Sequence, residues 1–360
     1  MSHHQRIGIA GCGAIGLANA AWLARDGHHV TLWSPRAADP SSLGDLRVHP
    51  LQASGVLQGA WPVAVAGSAA ALCAAADLLL LAVPSNGHRA VADALLPHLR
   101  QGQIVIVSSM SSLSSLYLRE AALRRGLQLP VASLSSTVLT ARREALNHVR
   151  VMTRRGSLGL SALPISQGPA LLALCQALFG EVFTLQTDAL ATTLSNTNPV
   201  AHGPLALFNW TRIERAEAWP QYQHMTPQVA AVIEQLDAER LALAACLGVQ
   251  VHTLEQHFAL SFGTRSTRLA DIAAELHAAR GGPPGPTDVQ TRFLFEDMPY
   301  GLAFSLALAR VAGLTLPATQ TIIDAASLIC GRDFRAGNDL IDPLGLAQAT
   351  PESLRRRVRG

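Results

Sequence analysis

The sequence predicts an α/β protein in two parts, with a doubly wound sheet at the N-terminus followed by an all-α C-terminal domain. Three observations lead to this prediction. Short apolar runs alternate with helical patterns in the first half, a glycine-rich turn follows the first run, and long helical patterns fill the second half. With 360 residues, the chain is long enough for two domains that each bury a core.

Short apolar runs of strand length dominate the first half. They predict strands at Arg6–Ala10, His29–Trp33, Leu78–Val83 and Ile104–Val107, with Val131–Leu134, Val149–Met152, Ser157–Leu160 and Val182–Leu185 extending the same sheet. Helical patterns between them predict helices at Gly16–Arg25, Gly87–Leu99 and Leu113–Arg124. Near-continuous apolar strands that alternate with helices are typical of a parallel sheet covered on both faces.

The pattern changes beyond Thr187, where helical periodicity replaces the strand signals. Helices are predicted at Ala189–Glu214, Gln228–Leu247, Thr253–Ala259, Thr267–Ala279, Tyr300–Ala312 and Leu316–Cys330. We therefore divide the chain into an α/β domain of residues 1–186 and a helical domain of residues 187–360.

All 28 residues counted as lysine or arginine are arginine, and the sequence contains no lysine. Chemistry that needs a lysine, such as a Schiff base, a phosphate-loop lysine or a lysine general acid, is therefore excluded. The net charge of +3 is small, and no basic stripe with interleaved aromatic residues predicts a nucleic-acid partner. The arginines at 355, 356, 357 and 359 are expected to form a solvated, frayed tail.

The five cysteines are widely spaced and form no Cys/His pattern typical of a metal site, so we expect free thiols and no metal. The N-terminus leads directly into a strand without a signal-peptide pattern, and a cytoplasmic protein is expected. The longest apolar run, Leu78–Pro84, is too short to span a membrane. The high hydrophobic content of 49% is expected in the cores and is compatible with a homodimer interface.

A glycine-rich turn connects the first predicted strand to the first predicted helix. Gly11, Gly13 and Gly16 form a G-x-G-x-x-G pattern, with Ala14 and Ile15 at the start of the helix. The first glycine allows a tight turn, the second lets backbone N–H groups approach a pyrophosphate, and the third permits close helix–strand packing. The motif predicts a Rossmann-type, dinucleotide-binding domain in residues 1–186.

The residues after the second predicted strand favour NADP(H) over NAD(H). No carboxylate stands at the end of this strand to bind the ribose 2′-hydroxyl, whereas Ser34 and Arg36 offer a hydroxyl and a cation for a 2′-phosphate. Both residues are also ordinary in a turn. Pro84 begins a loop at the carboxyl edge of the sheet, where ligands of such folds bind, and is a further cofactor-binding candidate. His88, in the same loop, is more typical of a solvated residue than of a catalytic one.

Two polar segments of the helical domain concentrate residues suited to catalysis. In the first, Asn198 and His202 are four residues apart and would share one face of a helix. In the second, Arg292 and Asp297 lie among aromatic residues. Asn198 is also suited to cap a helix that has Pro199 at its first position, which would leave His202 incidental.

Because of these two segments and the glycine pattern, the sequence resembles the octopine/nopaline (opine) dehydrogenase family. The resemblance is greatest to the short bacterial enzymes that make N-(carboxyalkyl)amino acids. The matching stretches are the glycine pattern, Asn-x-Asn-x-x-x-His ending at His202, and Arg-Phe-x-x-Glu-Asp-x-Pro-Tyr-Gly-Leu over Arg292–Leu302. The similarity continues through Asp237–Arg240 and Gly331–Phe334, and so covers nearly the whole chain.

The resemblance implies a reaction and a set of roles. An amino acid condenses with a 2-oxo acid such as pyruvate to an imine, which a nicotinamide cofactor reduces, and the reverse reaction oxidises the N-(carboxyalkyl)amino acid. By the match of motifs, His202 and Asp297 would form the catalytic dyad, Arg292 would hold a substrate carboxylate, and Asn198 would line the same site. A histidine oriented by a carboxylate suits proton transfer near neutral pH.

Two other functions are compatible with the same layout. Ketopantoate reductases share the glycine-rich opening, but they and several related dehydrogenases rely on a lysine, which this sequence lacks. A ketopantoate reductase or another 2-oxo acid reductase therefore stays an alternative only if a different residue replaces the catalytic lysine. A non-catalytic NADP(H)-sensing protein would have no need of both His202 and Asp297.

Overall fold

The computed structural model describes residues 4–35 and 44–360. The chain forms two compact units, of which the first comprises Met1–Thr192 with Arg357–Gly360 and the second comprises Thr193–Arg356. The change of unit thus falls at Thr193 and not at residue 187. Thr192 donates a hydrogen bond to Ser161 at 2.7 Å, and this contact ties the helix Ala189–Leu194 to the main part of the first unit.

The first unit contains an eight-stranded sheet. Its strands are β1 (Arg6–Ala10), β2 (His29–Trp33), β5 (Ala64–Val65), β6 (Leu78–Leu81), β7 (Ile104–Val107), β8 (Val131–Leu134), β11 (Leu158–Leu163) and β12 (Phe183–Leu185). The order is β12-β11-β8-β7-β6-β1-β2-β5. Strands β5, β2, β1, β6, β7 and β8 are parallel, which confirms the predicted doubly wound fold. Because β11 pairs antiparallel with β8, the sheet is mixed and not wholly parallel as predicted.

A second, four-stranded sheet was not predicted. It consists of β3 (Leu51–Gly55), β4 (Gly59–Trp61), β9 (Leu139–Ala145) and β10 (His148–Arg154), in the order β4-β3-β10-β9. The prediction that Val149–Met152 extends the main sheet is wrong, because this segment lies in β10 and pairs with β3 and β9. Polar and charged residues interrupt the apolar pattern of β9, whose sequence is Leu-Thr-Ala-Arg-Arg-Glu-Ala.

The helices of the first unit lie at Ala14–Arg25, Ala69–Ala75, His88–Leu95, Ser114–Leu123, Gly168–Phe179 and Ala189–Leu194. The first of them packs against β2 of the main sheet and against β3, β9 and β10 of the second sheet. Its residues from Gly16 through Leu23 are buried without interruption, which explains why this helix has no polar face. This helix therefore contacts both sheets.

The second unit is built from helices. They lie at Asn198–Phe208, Trp210–Glu214, Pro227–Cys246, Leu254–Phe262, Leu269–Arg280, Arg292–Phe295, Phe304–Ala312, Pro317–Cys330 and Pro351–Arg357, with a π-helix at Met298–Ala303. The single helix predicted over Ala189–Glu214 is three helices, because Pro199 lies in the first turn of the second one and Asn209 ends it. Among the described residues, no helix has the length and apolar character needed to cross a bilayer.

The C-terminal arginines do not form the frayed tail that was predicted. Arg357 donates two hydrogen bonds to the carboxylate of Glu120, at 2.7 and 2.9 Å. Arg359 lies 3.3 Å from the carboxylate of Asp188, whose side chain is fully buried. Charge-assisted contacts with the first unit therefore offset the entropy cost of ordering these residues.

Candidate active site

The three glycines of the glycine-rich turn meet different requirements. Gly11 has a φ of +127°, and a Cβ there would lie 2.2 Å from the carbonyl oxygen of Ala82. A Cβ on Gly16 would lie 1.9 Å from the carbonyl oxygen of Gly11, so backbone packing requires both glycines. A Cβ on Gly13 would meet no atom of the described residues within 4 Å. Packing does not explain Gly13, whereas a ligand that approaches the backbone does.

The helix that follows this turn offers hydrogen-bond donors to an anion. Gly13 is the N-cap, and no side chain of the described residues caps this end of the helix. The first N–H groups of an uncapped helix, here those of Ala14 and Ile15, combine with the helix dipole to bind phosphate groups. The residues present therefore fit the pyrophosphate of a dinucleotide.

The other cofactor-binding candidates of the described chain lie at the same edge of the main sheet. Strands β1, β2 and β6 are parallel neighbours and end together there. Gly11 N donates to the carbonyl oxygen of Trp33 at 2.8 Å, so the glycine turn lies next to Ser34. Pro84 follows β6 and is exposed. Arg36, the predicted cation for a 2′-phosphate, lies outside the described residues.

His88 is buried, in contrast to its expected place in a solvated loop. Its Nδ1 lies 2.8 Å from Ser114 Oγ, and its Nε2 lies 3.1 Å from the carbonyl oxygen of Val83. Because that carbonyl accepts, Nε2 carries the proton and Nδ1 accepts from the serine hydroxyl. Burial lowers the pKa of His88 to about 4. The neutral ring thus joins the loop after β6 to the helix that begins at Ser114.

In the second unit, two elements bring His202 and Asp297 together. His202 lies on the helix that begins at Asn198, and Asp297 immediately precedes the π-helix. A Cβ on Gly301, within the π-helix, would lie 2.2 Å from the ring of Pro199, so the glycine permits a close approach of the two elements. Single π-helical turns often occur at functional sites.

His202 and Asp297 form a hydrogen-bonded pair. His202 Nδ1 lies 2.8 Å from Asp297 Oδ2, and the two side chains are 19% and 6% exposed. The ring of Phe293 stacks on the imidazole, with the centroids 3.7 Å apart and the planes 2° from parallel. The carboxylate and the aromatic ring together define the imidazole plane and direct Nε2 away from Asp297.

The two predicted substrate-binding residues lie on the same elements as the pair. Arg292 has a side chain that is 59% exposed, and its Nε lies 3.5 Å from the carboxylate of Glu296. Within the described residues, no ion pair joins Arg292 to Asp297. Asn198 is the first residue of its helix, one turn before His202, and Thr197 is the N-cap. The capping role considered for Asn198 is therefore absent.

Two residues at these sites were not identified from the sequence. Phe293 lies four positions before Asp297, and this helical spacing is the signal that would have placed the two side chains together. Arg143, on β9, donates from Nη1 to the carbonyl oxygen of Cys12 at 3.3 Å. No local pattern connects Arg143 with the glycine turn. Across the described part of the chain, no group of three or more His, Cys, Asp or Glu side chains is arranged to hold a metal ion.

Two family models match successive parts of the chain. Residues 185–330 match the NAD/NADP octopine/nopaline dehydrogenase α-helical domain. Residues 7–163 match ketopantoate reductase PanE/ApbA. The first match contains both His202 and Asp297, and the second contains the glycine-rich turn.

Individual proteins show similarity over the full length. The chain is 26% identical over 360 residues to an opine dehydrogenase of Arthrobacter sp. (strain 1C), an alignment that covers 99% of this chain and 100% of the relative. A solved octopine dehydrogenase in complex with NADH and agmatine has a TM-score of 0.81 and 17% identity over 98% of both chains. The NADP+-bound structure of yersinopine dehydrogenase has a TM-score of 0.73 and 17% identity over 100% of this chain and 99% of that one. The likeness to these structures shows a shared fold.

Proposed function

The chain belongs to the octopine/nopaline dehydrogenase family of NAD(P)-dependent oxidoreductases, and from this premise we propose its reaction. It condenses an amino acid with a 2-oxo acid such as pyruvate and reduces the imine with NADPH to an N-(carboxyalkyl)amino acid, and it oxidises such a product in reverse. The observation that carries the proposal is the 2.8 Å contact between His202 Nδ1 and Asp297 Oδ2.

His202 acts as the general acid and base at Nε2. The ionised Asp297 accepts a hydrogen bond from Nδ1–H, which selects one tautomer and stabilises the imidazolium. In the direction of synthesis, the imidazolium donates its Nε2 proton as the hydroxyl of the carbinolamine leaves as water. In the reverse direction, the neutral Nε2 takes a proton from the water that attacks the imine.

Arg292 and Asn198 bind the substrates. Both substrates carry a carboxylate, and the exposed guanidinium of Arg292 offers a planar pair of N–H donors to one of them. The amide of Asn198 lies one helical turn before His202 and offers a second polar contact on the same side of the helix.

NADP(H) is the proposed cofactor, and its nicotinamide, when bound, supplies the hydride that reduces the imine carbon. Gly13, Ala14 and Ile15 hold the pyrophosphate, which the open space at Gly13 and the uncapped helix end support. Ser34 and Arg36 hold the 2′-phosphate. The sequence at the end of β2, which contains no carboxylate, supports this preference.

The reaction is tested by following NADPH oxidation with pyruvate alone, with a panel of amino acids alone, and with both together. The proposal requires both substrates, and mass spectrometry should find a secondary amine that joins them. The panel should contain apolar, acidic and basic amino acids, because side-chain selectivity depends on the pocket.

The remaining outcomes identify the alternatives. Turnover with a 2-oxo acid alone would indicate a simple 2-oxo acid reductase, the class that the ketopantoate reductase match favours. Tight NADPH binding without turnover would indicate a sensing protein. The lack of lysine argues against the first alternative, and the pairing of His202 with Asp297 argues against the second.

A further inference from the structure

A loop of the second unit holds the π-helix that follows Asp297. Asn338, in this loop, is 7% exposed, and its Nδ2 donates a hydrogen bond to the carbonyl oxygen of Pro299 at 2.9 Å. Tyr300, the next residue of the π-helix, donates from its hydroxyl to Asp339 Oδ1 at 3.0 Å. Two neighbouring residues of the loop thus bind two neighbouring residues of the π-helix.

The amide of Asn338 also orders its own loop. Its Oδ1 accepts a hydrogen bond from the backbone N–H of Leu340 at 2.9 Å, which closes an Asx turn. Because the N–H must meet the oxygen and the carbonyl must meet the nitrogen, the two partners together define the orientation of the amide. A Cβ on Gly337 would lie 3.2 Å from Cβ of Pro299, so the loop and the π-helix are in close contact.

The backbone on either side of Asp297 explains why a contact from outside matters there. Asp297 lies between a helix that ends at Phe295 and the π-helix that begins at Met298. Pro299 has no N–H group, so it cannot form the hydrogen bond that would connect it to the preceding turn. A regular series of helical hydrogen bonds therefore does not by itself fix the position of the Asp297 carboxylate.

We propose that Asn338 is a positioning residue for the reaction, because its bond to Pro299 holds the π-helix and so keeps the carboxylate of Asp297 against His202. The inference rests on the proposed function, in which Asp297 orients the imidazole. Asn338 acts through the backbone of Pro299, two residues beyond Asp297. A displacement of about 1 Å at a catalytic group can lower a rate by about a hundredfold, so a single supporting bond is enough to affect turnover.

The test compares N338S with N209S. A serine at position 338 can still accept from the N–H of Leu340, but it is too short to reach Pro299. Asn209 is also 7% exposed and donates to a backbone carbonyl oxygen, that of Leu205, at 2.9 Å, so N209S removes an equivalent bond elsewhere in the same unit. N338S should lower kcat by about fivefold to twentyfold and leave the dissociation constant of NADPH unchanged. N209S should leave kcat close to wild type, although both variants should lower the thermal unfolding midpoint.

Kinetics of the double variant show whether Asn338 acts through Asp297. N338S should slow Asp297→Asn by less than about twofold, because the carboxylate that Asn338 positions is already absent. An equal loss of kcat in both backgrounds would indicate a structural role alone and would overturn the proposal, as would a kcat of N338S close to wild type. N338D keeps the length of the side chain, but its carboxylate cannot donate to Pro299. It should reproduce the loss of kcat, which gives an answer if N338S does not fold.

A spectroscopic measurement separates this inference from the proposed reaction. The proton between His202 Nδ1 and Asp297 should give a downfield NMR resonance, which is assigned by its loss in His202→Ala. N338S should shift or broaden this resonance, whereas N209S should not. Because no substrate is needed, an unchanged resonance in N338S would overturn the proposal even if the reaction were confirmed. A resonance that responds to N338S in a protein that does not condense the two substrates would support the role of Asn338 and contradict only the proposed function.

Discussion

At the scale of single residues, the pair of His202 and Asp297 joins positions that are 95 apart in the sequence. The proposed chemistry needs both as a unit, since Asp297 selects the tautomer that leaves Nε2 for proton transfer. We expect His202→Ala and Asp297→Asn each to lower kcat by about a hundredfold or more. Steady-state NADPH oxidation measures the loss, and the dissociation constant of NADPH should stay unchanged.

The double variant provides the control for this pair. Because two residues that act as a unit are not additive, His202→Ala with Asp297→Asn should be little slower than His202→Ala alone. Near-normal turnover of either single variant would remove the pair from the mechanism.

Phe293 is expected to influence the rate through the orientation of the imidazole. Phe293→Leu keeps an apolar side chain at a buried position but removes the flat ring that lies 3.7 Å from His202. We expect kcat to fall by about threefold to tenfold while the KM of the amino acid changes less.

Phe295→Leu is the matched control for Phe293. Phe295 is an aromatic residue of the same segment, but it packs against Phe334, with the ring centroids 5.5 Å apart. Its substitution should lower the thermal unfolding midpoint and leave kcat close to wild type. Equal losses of kcat in the two variants would show that Phe293 acts only through the packing of the segment.

At the scale of elements, buried strands were predictable and half-buried ones were not. The bounds of β1, β2 and β7 agree with the prediction, because these strands are apolar runs in the middle of the sheet. In β3, buried and exposed residues alternate, and β9 contains two arginines. The pairing of β3 with β10 joins distant segments in parallel, which leaves no hairpin signal in the sequence.

His88 makes the connection between two elements of the first unit sensitive to pH. Burial lowers the pKa of His88 from its ordinary value of 6.5 to about 4, so between these values the unfolded chain binds a proton that the folded protein does not. The contribution of the neutral ring is complete above about pH 6.5 and is lost as the pH falls towards 4.

The measurement is urea unfolding of wild type and His88→Gln at two pH values. Between about pH 7 and about pH 5, the free energy of unfolding of wild type should fall by about 2 kcal/mol more than that of the variant. The difference between pH values is compared, so a constant destabilisation by the substitution does not matter. The same pH dependence in both proteins would contradict the burial of a neutral imidazole.

At the scale of the whole molecule, the C-terminus contributes to the stability of the first unit. Arg357 and Glu120 form a bidentate ion pair, and their side chains are 26% and 21% exposed. Arg357→Ala should lower the free energy of unfolding by about 1 kcal/mol. Arg356→Ala removes the same charge from an exposed neighbour and should have little effect. Equal unfolding midpoints for the two variants in thermal denaturation would refute this role of Arg357.

The candidate site was predictable where its residues lie in local motifs. His202 and Asp297 were identified from two short segments, and the glycine turn from its spacing. Their mutual distance, the stacking of Phe293 and the reach of Arg143 to Cys12 all depend on how distant elements pack. The capping role of Asn198 could likewise be rejected only from the observed start of the helix, since Thr197 and Asn198 are both compatible with a cap in the sequence.

The return of Arg357–Gly360 to the first unit has a consequence for biosynthesis. A ribosome makes β1 and the glycine turn before it makes Arg357 and Arg359, the residues that pair with Glu120 and Asp188. Domains at the N-terminus of a protein commonly fold while the rest is still being translated. Here the first unit obtains its contacts with Arg357 and Arg359 only after the second unit has been synthesised, so a first unit that folds during translation does so at first without these partners of Glu120 and Asp188.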